Sequence, residues 1–339
     1  MNTFNSNTSI NQVKISADSI AAMMEDKSKL NETRNILNKY GFLIVANAPG
    51  KEVSDTEVRK NVLDMKKLFG DAAYHLRADS DGVAAIGKNF VSNSAKTEEL
   101  RKMPNKTFKA LTSGEFEPHT DASFSKKSDE ILSLTCYQPS IDGGESYVVS
   151  CLAIYEHVKK NVTSKELEAL FRKDCVQFQR EGETATKPIF DKDENTGNIK
   201  MVWRKDVIVD QMDTLVKPEA HAGVRAIIDF VDNQSNHLVY KLQRNETLIC
   251  NNSAVLHARK AFPDHQVRRL DRLNFEFVGS GAILDDGRVK LGFKVPMVET
   301  QTVFDYQDFA VISKLRSSGI KNVIIGDGLH RLSYSNEAA

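Results

Sequence analysis

Between Glu115 and Val278 the chain breaks into short apolar runs separated by turn residues, and this spacing constrains its fold more than any other feature. Ile131 to Tyr137, Glu145 to Val149, Val176 to Arg180, Lys187 to Phe190 and Asn198 to Lys205 each have strand length. So do His237 to Leu242, Thr247 to Cys250, Ala254 to Arg259 and Leu270 to Val278. Segments such as Pro139 to Gly144 and Asp191 to Gly197 lie between them, rich in the residues that favour turns. Many short strands framed by helices predict a mainly β fold, a jelly-roll barrel with flanking helices.

The flanking helices are legible from apolar spacing. Asp18 to Tyr40 carries Ile20, Met23, Met24, Leu30, Ile36 and Leu37, and Gly41 stops the pattern as a helix C-cap would. Phe42 to Ala46 follows as a continuous apolar run of strand length. Thr56 to Phe69 repeats the helical stripe and is closed by Gly70, whereas Ala72 to Gly114 is mixed and polar, with a short helix expected near Lys96 to Met103. Ser150 is placed to cap a helix through Val158, Thr163-Ser164-Lys165-Glu166 fits a capping box, and Pro218 to Asp232 reads as an amphipathic helix. Trp203 is expected in core or hairpin packing. No repeat or linker divides the chain, so residues 1–339 are expected to form one domain, with N-terminal helical support over about 16–110 and a barrel core over about 115–280.

Charge narrows the partner. The 46 basic residues are balanced by 46 acidic ones, which gives no electrostatic case for nucleic acid or an anionic membrane and leaves a small molecule as the expected ligand. No stretch reaches the roughly 18 apolar residues of a membrane span, and Met1 to Gln12 lacks a signal-like apolar run, so a cytoplasmic protein is expected. Cys136, Cys151, Cys175 and Cys250 lie far apart with no Cys-x-x-Cys pattern and read as reduced, partly buried thiols.

The chemistry-bearing residues sit in the strand region. His119-Thr120-Asp121 offers an imidazole and a carboxylate at i and i+2, which share a face of a strand and can hold one side of a metal ion. None of the remaining histidines has an acidic residue at i+2. His257 lies on a second predicted strand, and a barrel brings such remote residues to one mouth. Two imidazoles and a carboxylate on one face of a metal leave open positions, the arrangement of non-haem Fe(II) oxygen chemistry. Arg268 and Arg272 follow His257, and the turn Gly143-Gly144-Glu145-Ser146 delivers a hydroxyl.

In this order the pieces resemble the taurine dioxygenase (TauD/TfdA) and clavaminate synthase-like group of Fe(II)/2-oxoglutarate oxygenases. By motif the match covers about Glu115 to Val278. The resemblance implies a double-stranded β-helix with His119, Asp121 and His257 as iron ligands. It also implies that Arg268 and Ser146 hold the far carboxylate of 2-oxoglutarate. The expected reaction is hydroxylation of an unactivated C–H by O2, with release of succinate and CO2. A guanidinium beside a hydroxyl suits a carboxylate better than lysine would. Strand parity favours Arg268 over Arg269, because Leu273, Phe275 and Phe277 share the parity of Arg269, whereas Arg272, Asn274 and Glu276 share that of Arg268. Arg272 is expected to meet an anionic group of the substrate. Glu117 and Glu115, in phase with His119 if the strand extends back, would complete the site for an amino-acid-like zwitterion. A halogenase on this scaffold would carry a small residue in place of Asp121. A non-enzymatic or structural-metal, cupin-like binding protein is the alternative, and it gives no reason for Arg268 and Ser146 at these spacings.

Overall fold

The computed structural model describes residues 1–47, 52–69, 72–73, 78–87, 109–125, 129–180, 183–192 and 197–275, with four short strand segments beyond. In chain order the strands are β1 (Lys14–Ser16), β2 (Phe42–Ala46), β3 (Ala84–Ile86), β4 (Phe116–His119), β5 (Ile131–Gln138), β6 (Ser146–Ser150) and β7 (Val176–Arg180). They continue as β8 (Glu183–Lys187), β9 (Phe190–Lys192), β10 (Ile199–Met201), β11 (Leu238–Tyr240), β12 (Thr247–Asn251), β13 (Val255–Arg259) and β14 (Arg269–Phe275). The larger sheet has the order β1-β2-β12-β5-β14-β3 and the smaller β11-β6-β13-β4. Neighbours are antiparallel except for the parallel pair β1 and β2.

The two sheets face each other across a shared apolar core. Val148, Leu238 and Val255 of the smaller sheet join Phe42, Leu132, Leu248, Leu270 and Phe275 of the larger one in a single cluster. Val149, Leu256 and Ala258, on the other face of the smaller sheet, pack in a second cluster with Ile154, Val158, Val224, Ile227 and Trp203. Side chains of a strand alternate between faces, so on β13 Leu256 and Ala258 turn to this outer layer while Val255, His257 and Arg259 turn toward the larger sheet. A one-residue slip of β13 would exchange His257 for an alanine or a leucine, and the apolar pattern on either side forbids it.

Three expectations need correction. The helix expected over Asp18 to Tyr40 is two helices, Ile20–Glu25 and Lys27–Tyr40. Asp26 breaks it because its carboxylate accepts from the N–H groups of Ser28 and Lys29, capping the second helix at the expense of the first. The strand expected over Lys187 to Phe190 is broken: Lys187 ends β8 and Phe190 opens β9, and between them Pro188 has no N–H to donate, while the N–H groups of Ile189 and Phe190 donate to the Leu170 carbonyl. Of Asn198 to Lys205 only Ile199–Met201 is strand, and Lys205 opens a one-turn helix. β3 was not anticipated, and Lys96 to Met103, Gly70, Glu276 and Phe277 fall outside the described residues. The capping box at Thr163 is present with both reciprocal hydrogen bonds.

Gly41 terminates the second helix at φ 78°, donating its N–H to the Leu37 carbonyl, and a Cβ there would lie 2.8 Å from Ala254 Cβ. Gly41→Ala is therefore expected to lower stability by about 1–2 kcal/mol, from the left-handed backbone alone, with more from the contact. A urea denaturation midpoint equal to that of the wild type would refute this.

Candidate active site

β4 and β13 place His119 directly opposite His257, with ring centroids 4.3 Å apart. Asp121 lies just beyond β4, in a turn that includes Ala122 at φ 57°. Strand alternation was expected to aim its side chain, but hydrogen bonds hold it instead. The Asp121 N–H donates to Asn252 Oδ1 (2.8 Å), and Asn252 Nδ2 donates back to the Asp121 carbonyl (3.1 Å) and to that of Asp129 (2.9 Å). On the other side the Thr120 N–H donates to the Trp203 carbonyl (2.9 Å) and the Trp203 N–H to Thr120 Oγ1 (3.0 Å). All of these partners except Asp129 are buried or nearly so, so little water competes for them.

Asp121 Oδ1 lies 3.6 Å from His119 Nε2 and 3.7 Å from His257 Nε2. One ligand atom from each of the three residues falls within 4.8 Å of the others, and all three residues are buried. The second oxygen, Oδ2, accepts from Arg272 Nη1 (3.0 Å) and Asn274 Nδ2 (3.1 Å), which fixes the plane of the carboxylate. His119 Nδ1 is 2.8 Å from the Glu117 carbonyl, which can only accept, so Nδ1 carries the proton and Nε2 presents a lone pair. That buried Nε2 has no hydrogen-bond partner among the described residues.

Electrostatics keep the three groups in their ligating forms. Burial lowers the pKa of both imidazoles, and with the neighbouring His119 it takes His257 down to about 3. Burial works against ionisation of Asp121, but the Arg272 guanidinium and the two imidazoles hold it well below the usual carboxylate range. At neutral pH two neutral imidazoles and one carboxylate converge. A divalent cation satisfies this set, and the mixed nitrogen and oxygen donors fit Fe(II).

Beside this cluster a cavity is lined by Phe116, Ser146, Arg268 and Arg272 together with the two histidines. Buried Arg268 donates from Nε to the Gly144 carbonyl (2.8 Å) and approaches Ser146 Oγ with Nη2 (3.4 Å). Gly144 sits at φ 70°, and a Cβ there would lie 2.8 Å from Arg268 Cδ, so the turn requires glycine both for its backbone and for the arginine's path. Arg269 leaves on the other face, paired with Asp271 and 3.9 Å over the Tyr137 ring.

Two expectations fail here for one reason. His119 pairs with His257 but Phe116 pairs with Arg259, so β4 carries a bulge with one extra residue around Pro118. The parity shifts, and Phe116 rather than Glu117 stacks on the His119 ring, at 3.9 Å. Glu117 instead meets Lys109 (3.3 Å) and Lys205 (3.4 Å), and exposed Glu115 accepts from the Tyr147 hydroxyl (2.8 Å). Arg272, expected at a substrate anion, is engaged with Asp121. Sequence reasoning missed Asn252 and Arg259. Nothing distinguishes Asn252 within Asn251-Asn252-Ser253, but Arg259 shares the parity of His257 and was there to be seen.

The four cysteines are free and buried. Burial raises the pKa of each thiol, to about 12 at Cys136 and about 11 at Cys175.

A family model described as "Taurine catabolism dioxygenase TauD, TfdA family" matches residues 10–274, and the chain belongs to that family. It is a dioxygenase, and the residues assembled here fit Fe(II) and 2-oxoglutarate as its cofactors. Its fold is similar to that of an asparagine oxygenase solved with Fe(II), 3-hydroxyasparagine and succinate, with TM-score 0.52 and 12% identity over 78% of this chain and 93% of that one. It is also similar to the non-heme iron oxygenase OrfP solved with Fe and alpha-ketoglutaric acid (TM-score 0.52, 13% identity, 76% and 85% covered). A third similar fold is that of AAD-2 with Mn(II) and N-oxalylglycine (TM-score 0.51, 11% identity, 78% and 94% covered).

Removing a ligand outright, as in His257→Ala, should abolish high-affinity metal binding. Arg272→Leu leaves all three ligands but frees Asp121 and strips its counter-charge, so metal affinity should fall roughly 10- to 100-fold. An anaerobic Co(II) titration followed by visible absorption measures both, and unchanged affinity in Arg272→Leu would show that the clamp on Oδ2 does not matter.

Proposed function

We propose that this protein is a cytoplasmic Fe(II)- and 2-oxoglutarate-dependent hydroxylase that oxidises an unactivated C–H of a small polar, amino-acid-like substrate. We further propose that its two facing sheets form the double-stranded β-helix within one domain. The observation that carries the reading is the divided carboxylate of Asp121, with one oxygen aimed between the Nε2 atoms of two imidazoles and the other locked by Arg272 and Asn274. Among the described residues no helix is long and apolar enough to cross a membrane.

When bound, Fe(II) supplies the redox chemistry that couples O2 and 2-oxoglutarate to substrate hydroxylation, giving succinate and CO2. The protein's share is binding and orientation. His119, Asp121 and His257 would hold the metal, and three protein ligands would leave it able to take the cosubstrate as well. Arg268 and Ser146 take the far carboxylate, and the buried setting strengthens that contact. Asp121 as a ligand argues for hydroxylation over halogenation, since no position is vacated for halide.

A second cavity of about 260 Å³ also reaches Asp121 and is lined by Asp129, Glu130, Lys187, Asp191 and Lys200. Both signs of charge on one wall suit a zwitterion, with its ammonium toward the carboxylates and its carboxylate toward a lysine. Asn274 Nδ2 donates to Asp129 Oδ2 (2.6 Å) as well as to Asp121, so the cavity wall and the metal ligand share one hydrogen-bond donor. Similar folds have been solved with hydroxylated amino acids bound, 3-hydroxyasparagine and (3S)-hydroxy-L-Arg, which agrees with this substrate class.

Anaerobic addition of Fe(II) and 2-oxoglutarate should produce a visible charge-transfer band, and its absence would remove the cosubstrate assignment. Arg268→Ala should raise the 2-oxoglutarate concentration needed for half the band roughly 30-fold or more, about 2 kcal/mol, while Arg269→Ala should leave it unchanged. A reversal of those two phenotypes would mean the strand register is wrong. In a succinate-release screen, zwitterionic amino acids should stimulate turnover and Lys187→Met should raise the apparent KM of the best of them. Stimulation by uncharged compounds only would refute the substrate class and leave the oxygenase reading intact.

A further inference from the structure

The cosubstrate cavity contains one cation more than the expected contacts require. Arg259 ends β13 and pairs directly with Ser146 across the β13–β6 ladder, so both side chains stand on the face turned to the larger sheet. It is 4% exposed and lines the same cavity as Arg268, which approaches from the opposite sheet. Its Nη2 donates to the Gly114 carbonyl, and its guanidinium lies 5.2 Å from the centre of the Phe262 ring. Those contacts fix the plane of the group but use little of its donor capacity. Nε and Nη1 are buried and have no hydrogen-bond partner among the described residues.

Of the three guanidiniums that line the cavity, Arg272 is paired with Asp121, and the like charges of Arg259 and Arg268 are unfavourable there without an anion. The described residues lining the cavity include no acidic side chain. Asp121, beside the cavity, is committed to Arg272 and Asn274, and Glu145, whose charge reaches Arg268, does not line the cavity. The missing negative charge must therefore come from the ligand. A carboxylate has two oxygens with about four lone-pair directions, more than one guanidinium edge and one hydroxyl fill.

We propose that Arg259 is a second guanidinium at the far-carboxylate end of the cosubstrate site, working with Arg268 and Ser146 to select a 2-oxo acid that carries a carboxylate at both ends. This rests on 2-oxoglutarate being the cosubstrate. The competing role is a strut, in which Arg259 only ties Gly114 and Phe262 to β13.

A pair of ligands separates the two roles. 2-Oxoglutarate and 2-oxovalerate share the chelating end and the chain length, but 2-oxovalerate lacks the far carboxylate. Each is titrated anaerobically into Fe(II)-loaded protein and followed by its charge-transfer absorbance, a binding readout that needs no turnover. Arg259→Gln should weaken 2-oxoglutarate roughly 10- to 100-fold and leave 2-oxovalerate at its wild-type affinity. Arg259→Lys, which keeps charge and bulk but loses the planar fork, should give a smaller loss confined to 2-oxoglutarate. Equal weakening of both ligands, or no change in either, would overturn the proposal in favour of the strut. If circular dichroism shows that Arg259→Gln is unfolded, Arg259→Lys decides by the same comparison. A wild-type protein that binds neither ligand would overturn the cosubstrate reading along with this one, whereas tight wild-type binding insensitive to Arg259 overturns this one alone.

Discussion

The two oxygens of Asp121 have separate duties, and the rest of the site is arranged around that division. Oδ1 faces the imidazoles of His119 and His257, and Oδ2 is held by Arg272 and Asn274 from the opposite sheet. A buried carboxylate left to itself would take up a proton, because burial penalises its charge. Here the guanidinium and the two imidazoles together outweigh that penalty and keep the group anionic. The metal ligand from one sheet thus depends on a cation from the other. The packing of the two sheets and the competence of the site are one constraint.

That dependence explains why the apolar pattern matters as much as the ligands do. Leu256 and Ala258 seat β13 on the outer helical layer, which turns His257 and Arg259 inward. Leu270 and Leu273, set in the apolar core, fix the register of β14 and with it the reach of Arg272 and Asn274. The turn that carries Asp121 is irregular, and Asn252 supplies the hydrogen bonds that a regular ladder would otherwise provide.

Much of this was legible in the residues. The helix caps at Gly41, Ser150 and Thr163 and the opposite parities of Arg268 and Arg269 follow from spacing, because helices and strands have fixed periods, and the residues of the metal-binding set were named by the family resemblance although a turn rather than a strand carries Asp121. The exceptions share a cause, which is that a single polar or proline residue overrode the period. Asp26 split a helix by capping it, Pro188 interrupted a strand, and the bulge around Pro118 turned Glu117 out toward Lys109 and Lys205 and Phe116 in toward His119. Asn252 was invisible for a different reason, since its role is set by a tertiary contact to a residue more than a hundred positions away.

The placement of sulfur acquires a meaning beside a centre that handles dioxygen. Thiolates, not thiols, react with peroxide and its relatives, and all four cysteines of this chain are buried with their thiols held in the protonated form. Cys250 feels the negative charge of Asp121 itself, which further disfavours its ionisation. When a turnover misfires and releases a reactive oxygen species, the oxidant meets no exposed cysteine thiol on its way out. The fold that assembles the iron site thereby also limits how far its by-products can damage the chain.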